Sequence, residues 1–484
     1  MPTTDTHITT DRFKAASAKA LSNPRLQAYL GRSMGHFDGA REDAIAEITP
    51  QRWEELREQA REIKRHTLDN LDYYLELLTE RVTKNGGQVH FARDAAEAKE
   101  IVGAIARTKG LKLAIKSKSM VSEEMRLNDY LETVGVEPVE TDLGEYIIQL
   151  ANEPPSHIIA PALHKSKEEV SQLFAEKINR PNLVEIEAMA HAAREVLRDK
   201  LVNADMGITG GNFLVAETGT LVLVTNEGNG RFCTSVPRVV VSIVGMEKVI
   251  PSLEDLRIFI RLLPRSATGQ RISSYTTHVS GPRRADDEDG PEEWHLVIVD
   301  NGRSRLLRDP HLRESLYCIR CGACLNICPV YRKVGGHAYG WVYPGPIGAV
   351  VTPVLVGLDK AKDLPQASSL CGACRDVCPI KINIPHMLLR LRSHTAEGTP
   401  DIPSKAPFSE KFMSKAYLWL MSSPARLGSI RTLGRLAQAP LARRGRIRRV
   451  PLPPFSTWTR SRDLQPLAPK PFRQLWKERL SREQ

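Results

Sequence analysis

Apolar residues recur at helical spacing between positions 51 and 82. In "QRWEELREQAREIKRHTLDNLDYYLELLTERV", Trp53, Leu56, Ile63, Leu71, Tyr74, Leu75 and Leu78 share one face, which predicts a single packed amphipathic helix. The first 50 residues are polar and irregular, with only short helical patterns. Beyond 82 the period alternates between two and 3.6. Strands are expected at 86–92, 111–117, 136–144 and 157–161. Helices are expected at 94–110, with Asp94 as N-cap, and at 122–135, 145–152, 167–178 and 187–204. Strands alternating with helices predict an α/β domain with a largely parallel sheet. After Met206 the chain turns glycine-punctuated and β-branched. That predicts paired strands at 212–216 and 220–225, strands at 238–244, 273–281 and 292–302, and a helix at 252–263. The acidic "RRADDEDGPEE" is expected as a surface loop.

Past residue 305 the strand pattern stops, and cysteine organises the chain instead. Seven of the eight cysteines fall between 318 and 378. "CIRCGACLNICP" places Cys318, Cys321, Cys324 and Cys328 in the spacing C-x2-C-x2-C-x3-C-P. "SSLCGACRDVCP" repeats it with Cys371, Cys374 and Cys378 but holds Ser368 where the first motif has Cys318. In two-cluster ferredoxins this spacing caps one iron–sulfur cubane with three thiolates and sends the fourth to the other. Gly322 and Gly372 let the loop wrap closely, and the proline ends each turn. The crossing rule assigns Cys318, Cys321, Cys324 and Cys378 to a first [4Fe–4S] cluster. It assigns Cys328, Cys371 and Cys374 to a second, with one corner open. That corner would be a [3Fe–4S] vacancy, a non-cysteine ligand or a substrate-accessible iron; alternatively Ser368 only caps a turn. Zinc also binds paired C-x2-C motifs, but it needs no further cysteine at x3 before proline, twice over. Cys233, in "GRFCTSVPR", is expected as a buried structural thiol at a strand start.

Hydrophobic content of 41% and charged content of 26% are ordinary for a globular protein. No secretory leader or transmembrane run is expected, and the cytoplasm is the default compartment. The net charge of +11 is local. Residues 401–484 hold 18 Lys and Arg against 5 Asp and Glu, a net +13, so the preceding 400 residues sum to −2. The stretch 398–407 reads as a linker, 409–422 as an amphipathic helix, and the Pro/Arg-rich remainder as extended. "ARRGRIRR" lacks aromatic interleaving, so nucleic acid is not an expected partner. Beside "KFMSKAYLWLM" it suits peripheral contact with an anionic membrane face.

The cysteine segment, with "GITGGNFLVAETGTLVLVTNEGNGR" and "IKSKSMVSEE" upstream, resembles the lactate-utilisation protein B family over roughly residues 20–400. The resemblance implies a LUD domain with a sheet like those of ribose-phosphate isomerase and CoA transferases, followed by an α-helical ferredoxin-like two-cluster module. The expected segments are 1–50, a LUD domain at 51–305, the cluster domain at 306–395 and a basic tail at 396–484. The resemblance further implies two [4Fe–4S] clusters and an iron–sulfur electron-transfer subunit of a complex that oxidises L-lactate to pyruvate. The implied partners are a CCG-repeat iron–sulfur protein and a LUD-only protein. The alternatives are an electron-transfer protein of another 2-hydroxy-acid or quinone-linked dehydrogenase, or a carboxylate- or CoA-binding LUD enzyme.

No G-x-G-x-x-G follows a strand, so no dinucleotide site is expected and any hydride acceptor lies on a partner. Within the α/β part, Glu217 in "AETGT" is the candidate catalytic carboxylate, with a turn-capping role as the alternative. Lys116, Lys118 and Ser119 end a strand, where ligands of such sheets bind. The loop 225–231 adds backbone donors and the Arg231 guanidinium. His337, Tyr339, Trp341 and Tyr343 are expected to pack between the clusters and the α/β domain, with an electron or quinone path as the alternative.

Overall fold

The computed structural model describes residues 8–399, 402–403, 408–451 and 455–483. The chain divides into two compact units, Met1–Ile402 and Pro403–Gln484. The first is built on a six-stranded parallel sheet. Its strands are β1 (Gln88–Ala92), β2 (Leu113–Lys116), β3 (Glu137–Glu140), β4 (Met206–Thr209), β7 (Val239–Gly245) and β10 (Glu293–Val299), in the order β1-β10-β7-β4-β2-β3. The strands β5 (Phe213–Val215), β6 (Thr220–Thr225), β8 (Val249–Ile250) and β9 (Tyr275–Val279) form a second sheet, in the order β8-β5-β6-β9.

Central parallel strands are covered on both faces and so read as continuous apolar runs. All seven residues of β7, "VVVSIVG", are buried. β5 and β6 form an antiparallel hairpin closing on Val215↔Thr220. At its turn Gly219 has φ +68°, and a Cβ there would stand 2.7 Å from the Arg81 backbone.

β4 was hidden from the pattern by its shortness and by Gly207. That glycine is required, since a Cβ would lie 1.8 Å from the Cys233 carbonyl oxygen. Other expectations need correction. The helix at 51–82 is two, Pro50–Asp69 and Leu71–Lys84, parted at Asn70 with φ −125° and ψ 36°. The helix at 122–135 is also two, Met120–Glu124 and Leu127–Thr133, with Arg126 at φ +53° between them. Residues 157–161 form turns rather than a strand, because His157 Nδ1 accepts the N–H groups of Ile159 and Ala160 at 3.1 and 3.2 Å. Cys233 lies within the helix Asn229–Ser235, not at a strand start. Asp94 does cap its helix, accepting from the Ala96 and Glu97 N–H groups.

The first 50 residues are not irregular. They carry the helices Phe13–Leu21 and Pro24–Ala46. The longer one buries Leu30 and Met34 and reaches the cysteine segment, where Arg332 pairs with Asp38 at 2.9 Å. The cysteine segment is short helices and turns around Gly345–Leu355, whose first nine residues are all buried.

Residues 403–484 form helices at Phe408–Met421, Pro424–Gln438 and Phe472–Glu483, so this region is less extended than its composition suggests. Of the expected linker, positions 400–401 and 404–407 lie outside the described residues. Among those described, no helix is long and apolar enough to cross a membrane.

Candidate cluster sites and the adjoining cavity

The two cysteine loops follow the same backbone course. Arg320 (φ +61°) and Gly322 (φ +76°) in the first correspond to Leu370 (φ +55°) and Gly372 (φ +88°) in the second. A short helix starts after each glycine, Ala323–Ile327 and Ala373–Asp376. Backbone N–H groups in both segments point at cysteine sulfurs. Cys318 Sγ accepts from Arg320 N at 3.4 Å, Cys328 Sγ from Tyr331 N at 3.5 Å, and Cys378 Sγ from Ile382 N at 3.4 Å. Ser368 Oγ accepts from Leu370 N at 3.1 Å.

Cys318, Cys321, Cys324 and Cys378 line one small cavity with Ile158, Ile347, Ile380, Ile382 and Ile384. Cys374 lies within electrostatic reach of Cys328 and Cys371, which groups those three, and it also reaches Cys324 of the first quartet. No disulfide joins any of the eight cysteines, and of the seven in the motifs Cys371 alone is exposed. Burial pushes Cys378 up to about 11 and Cys374 up to about 12, so a metal taken up by these thiols would displace their protons. Cys233 is buried beside Thr141 Oγ1 at 3.7 Å, and burial pushes it to about 12.

A second, larger cavity of about 600 Å³ opens at the C-terminal ends of the parallel strands. Its walls come from Ser117–Ser119 after β2, Asp142 after β3, Asn212 after β4 and Lys248 after β7, as expected for a sheet of this kind, with Glu227 added from beyond β6 of the second sheet. The cysteine segment closes it with Ile319, Arg320 and Tyr343. Ile158, Ile319 and Arg320 line both cavities, so one wall separates the strand ends from the first thiol quartet.

A buried ion network runs behind this wall. Arg303, 1% exposed, binds Glu124 through Nη1 and Nη2 at 3.0 and 2.9 Å and Glu247 through Nε at 2.7 Å. Tyr343 donates to Glu124 Oε2 at 2.7 Å, and the Arg320 guanidinium lies 4.5 Å over the Tyr343 ring. Burial alone would raise Glu247, but Arg303, Lys248 and Arg320 hold it at about 2. Burial lowers Lys248 to about 8 against the pull of Glu247.

The sequence-derived candidates separate here. Lys118, Ser119 and residues 225–227 face the cavity. Lys116 does not; it is buried between Glu140 at 2.6 Å and Glu123 at 2.7 Å. Arg231 is exposed, over the Tyr275 ring at 5.7 Å. Glu217 is exposed, accepts the Leu253 N–H at 3.3 Å at a helix start, and lies outside the cavity lining. Tyr339 and Tyr343 are buried, Tyr339 against Phe13 with ring centroids 5.3 Å apart. Trp341 packs edge-on to Tyr343 at 5.4 Å, and His337 is exposed, hydrogen-bonded to the Pro154 carbonyl. Sequence reasoning missed Glu124, Glu247, Lys248 and Arg303. No local spacing distinguishes them from surface charges.

The chain matches two family models: the LUD domain over residues 75–299 and the 4Fe-4S dicluster domain over 314–382. It is 45% identical over 475 residues to a protein of Bacillus licheniformis named Lactate utilization protein B, covering 98% of each chain. Proteins of the same name from Geobacillus thermodenitrificans and Bacillus subtilis are 48% and 44% identical, with 85% and 94% of each chain covered.

Proposed function

This chain belongs to the lactate utilization protein B family, and we propose that it is an iron–sulfur electron-transfer subunit of a complex oxidising L-lactate to pyruvate. The observation that carries this reading is the thiol quartet set one wall from a strand-end cavity. The residues fit iron–sulfur clusters. The small cavity holds four sulfur donors in an apolar lining, without a carboxylate or imidazole. We assign Cys318, Cys321, Cys324 and Cys378 to one [4Fe–4S] cluster, and Cys328, Cys371 and Cys374 to a second, with Ser368 in the motif position of the missing fourth cysteine. Bound clusters supply one-electron relay. The chain's own residues do the rest. Isoleucines exclude water, and backbone N–H groups donate to sulfur and ease its negative charge. Arg57 donates to the Cys378 carbonyl through Nε at 3.1 Å and holds that loop in place.

The partners we propose are a CCG-repeat iron–sulfur protein and a LUD-only protein of the same system, which would hold the two-electron chemistry. The test is anaerobic purification, a count of iron and sulfide per chain, and electron paramagnetic resonance before and after reduction. Two distinct reducible centres are expected. Zinc in place of iron would overturn the assignment.

A second reading concerns residues 403–484. Phe408, Phe412, Leu418 and Trp419 are all at least 60% exposed on one helix, within a region of net +13. We propose peripheral contact with an anionic membrane surface. Removing 401–484 should abolish co-sedimentation with anionic liposomes; unchanged sedimentation would end that reading.

A further inference from the structure

We propose that the strand-end cavity binds a small organic monoanion, a 2-hydroxy or 2-oxo carboxylate, held by Lys248 and Arg320 against the wall shared with Cys318, Cys321, Cys324 and Cys378. The ligand class rests on the lactate reading above; the site rests on the cavity itself.

Lys248 is 7% exposed and borders the large cavity but not the thiol-lined one. No hydrogen bond or ion pair joins its Nζ to another described residue. Its charge is offset only in part by Glu247, and the open space it borders is where an anion would meet it. Arg320 is the second cation. Its Nη1 is buried without a hydrogen-bond partner among the described residues, and its contact with Glu247 is 4.0 Å. Asn212 contributes a third donor. It lines the cavity, its Oδ1 accepts the Val224 N–H at 2.8 Å, and its amide nitrogen makes no hydrogen bond to another described residue.

The local charges are unbalanced in the same direction. Arg303, Lys248 and Arg320 carry three positive charges against the two carboxylates Glu124 and Glu247, so one cation at this inner end lacks a counter-charge, while Asp142 and Glu227 line the cavity beside Lys118. Arg320 borders both cavities, so it serves the thiol quartet as well. Lys248 borders only the larger one but also feels Cys318, so acid binding, not position alone, separates a ligand site from compensation of cluster charge. The volume of about 600 Å³ exceeds that of a three-carbon acid. Selection therefore comes from charge at the inner end rather than from a close fit.

The test uses the full-length, cluster-loaded protein. Binding of L-lactate and of pyruvate is measured by calorimetry for wild type, Lys248→Met and Lys248→Arg, with inorganic phosphate as a further ligand. Saturable binding of either acid is expected, weakened about tenfold or more in Lys248→Met and kept within about threefold in Lys248→Arg. Iron per chain should be equal in all three. Equal affinity in the three proteins would overturn the site. So would phosphate binding without carboxylate binding, or a shift of cluster potential in Lys248→Met with no change in acid binding. Acid binding that depends on Lys248, without reduction of the clusters by lactate in the presence of the partner proteins, upholds the site and removes the electron-transfer reading instead.

Discussion

Ser368 Oγ accepts the Leu370 N–H at 3.1 Å, in the position where Cys318 Sγ accepts that of Arg320 at 3.4 Å. The two loops share a left-handed residue before their next cysteine. The hydroxyl therefore stands where the second motif would carry its first thiol. Turn capping and ligand placement are the same geometry here, because the turn is what aims the side chain. Ser368→Cys should complete the second set. The expected result is a higher iron count after exposure to air and a second centre more resistant to oxidative loss. No change in iron retention would mean that the open corner lies elsewhere.

The crossed assignment makes a directional prediction. Cys378→Ala should remove or alter the centre held by Cys318, Cys321 and Cys324, although those three thiols are at least 50 residues away in sequence. Cys328→Ala should affect the centre held by Cys371 and Cys374. Paramagnetic resonance of each reduced variant decides the matter. Loss of the signal belonging to its own motif in each case would refute the crossing.

Arg303 is predicted to be a stability residue. Arg303→Met would leave Glu124 and Glu247 buried without their guanidinium, a change that costs about 3–5 kcal/mol in comparable buried pairs. Urea unfolding of the loaded protein should report it. A variant that also carries Glu124→Gln should recover part of the loss, since one of the two stranded charges is then gone.

His157 predicts an acid limb. It is buried, accepts two backbone N–H groups at Nδ1 and meets Asn326 Oδ1 at 3.0 Å, tying the strand-end turn to the loop between Cys324 and Cys328. Burial lowers its pKa to about 4 from the ordinary 6.5. The unfolded chain therefore takes up this proton first as pH falls. The stabilisation is whole above pH 6.5 and is lost between there and about pH 4, up to about 3 kcal/mol. Urea midpoints of wild type and His157→Gln across this range should converge towards the acid end. A constant gap would rule the titration out.

The strands β1, β2, β3, β6, β7 and β10 were legible because their apolar runs are local and bounded by turn residues. β4 was not, being four residues with an obligatory glycine. Its strand character comes from the neighbours β2 and β7, not from its own composition. The break at Asn70 was invisible for a related reason. The apolar face continues on both sides, and only packing sets the change of direction.

The sequence by itself determined the sulfur chemistry and the family. Spacings of two and three residues between cysteines are local, and a local spacing dictates which thiols can cap a common face. Only the tertiary structure decided where that chemistry meets the sheet. Glu124 and Arg303 are 179 residues apart, and Lys248 and Arg320 come from different parts of the fold. Their partnership arises from burial, which raises the cost of an unpaired charge and leaves no periodic trace along the chain.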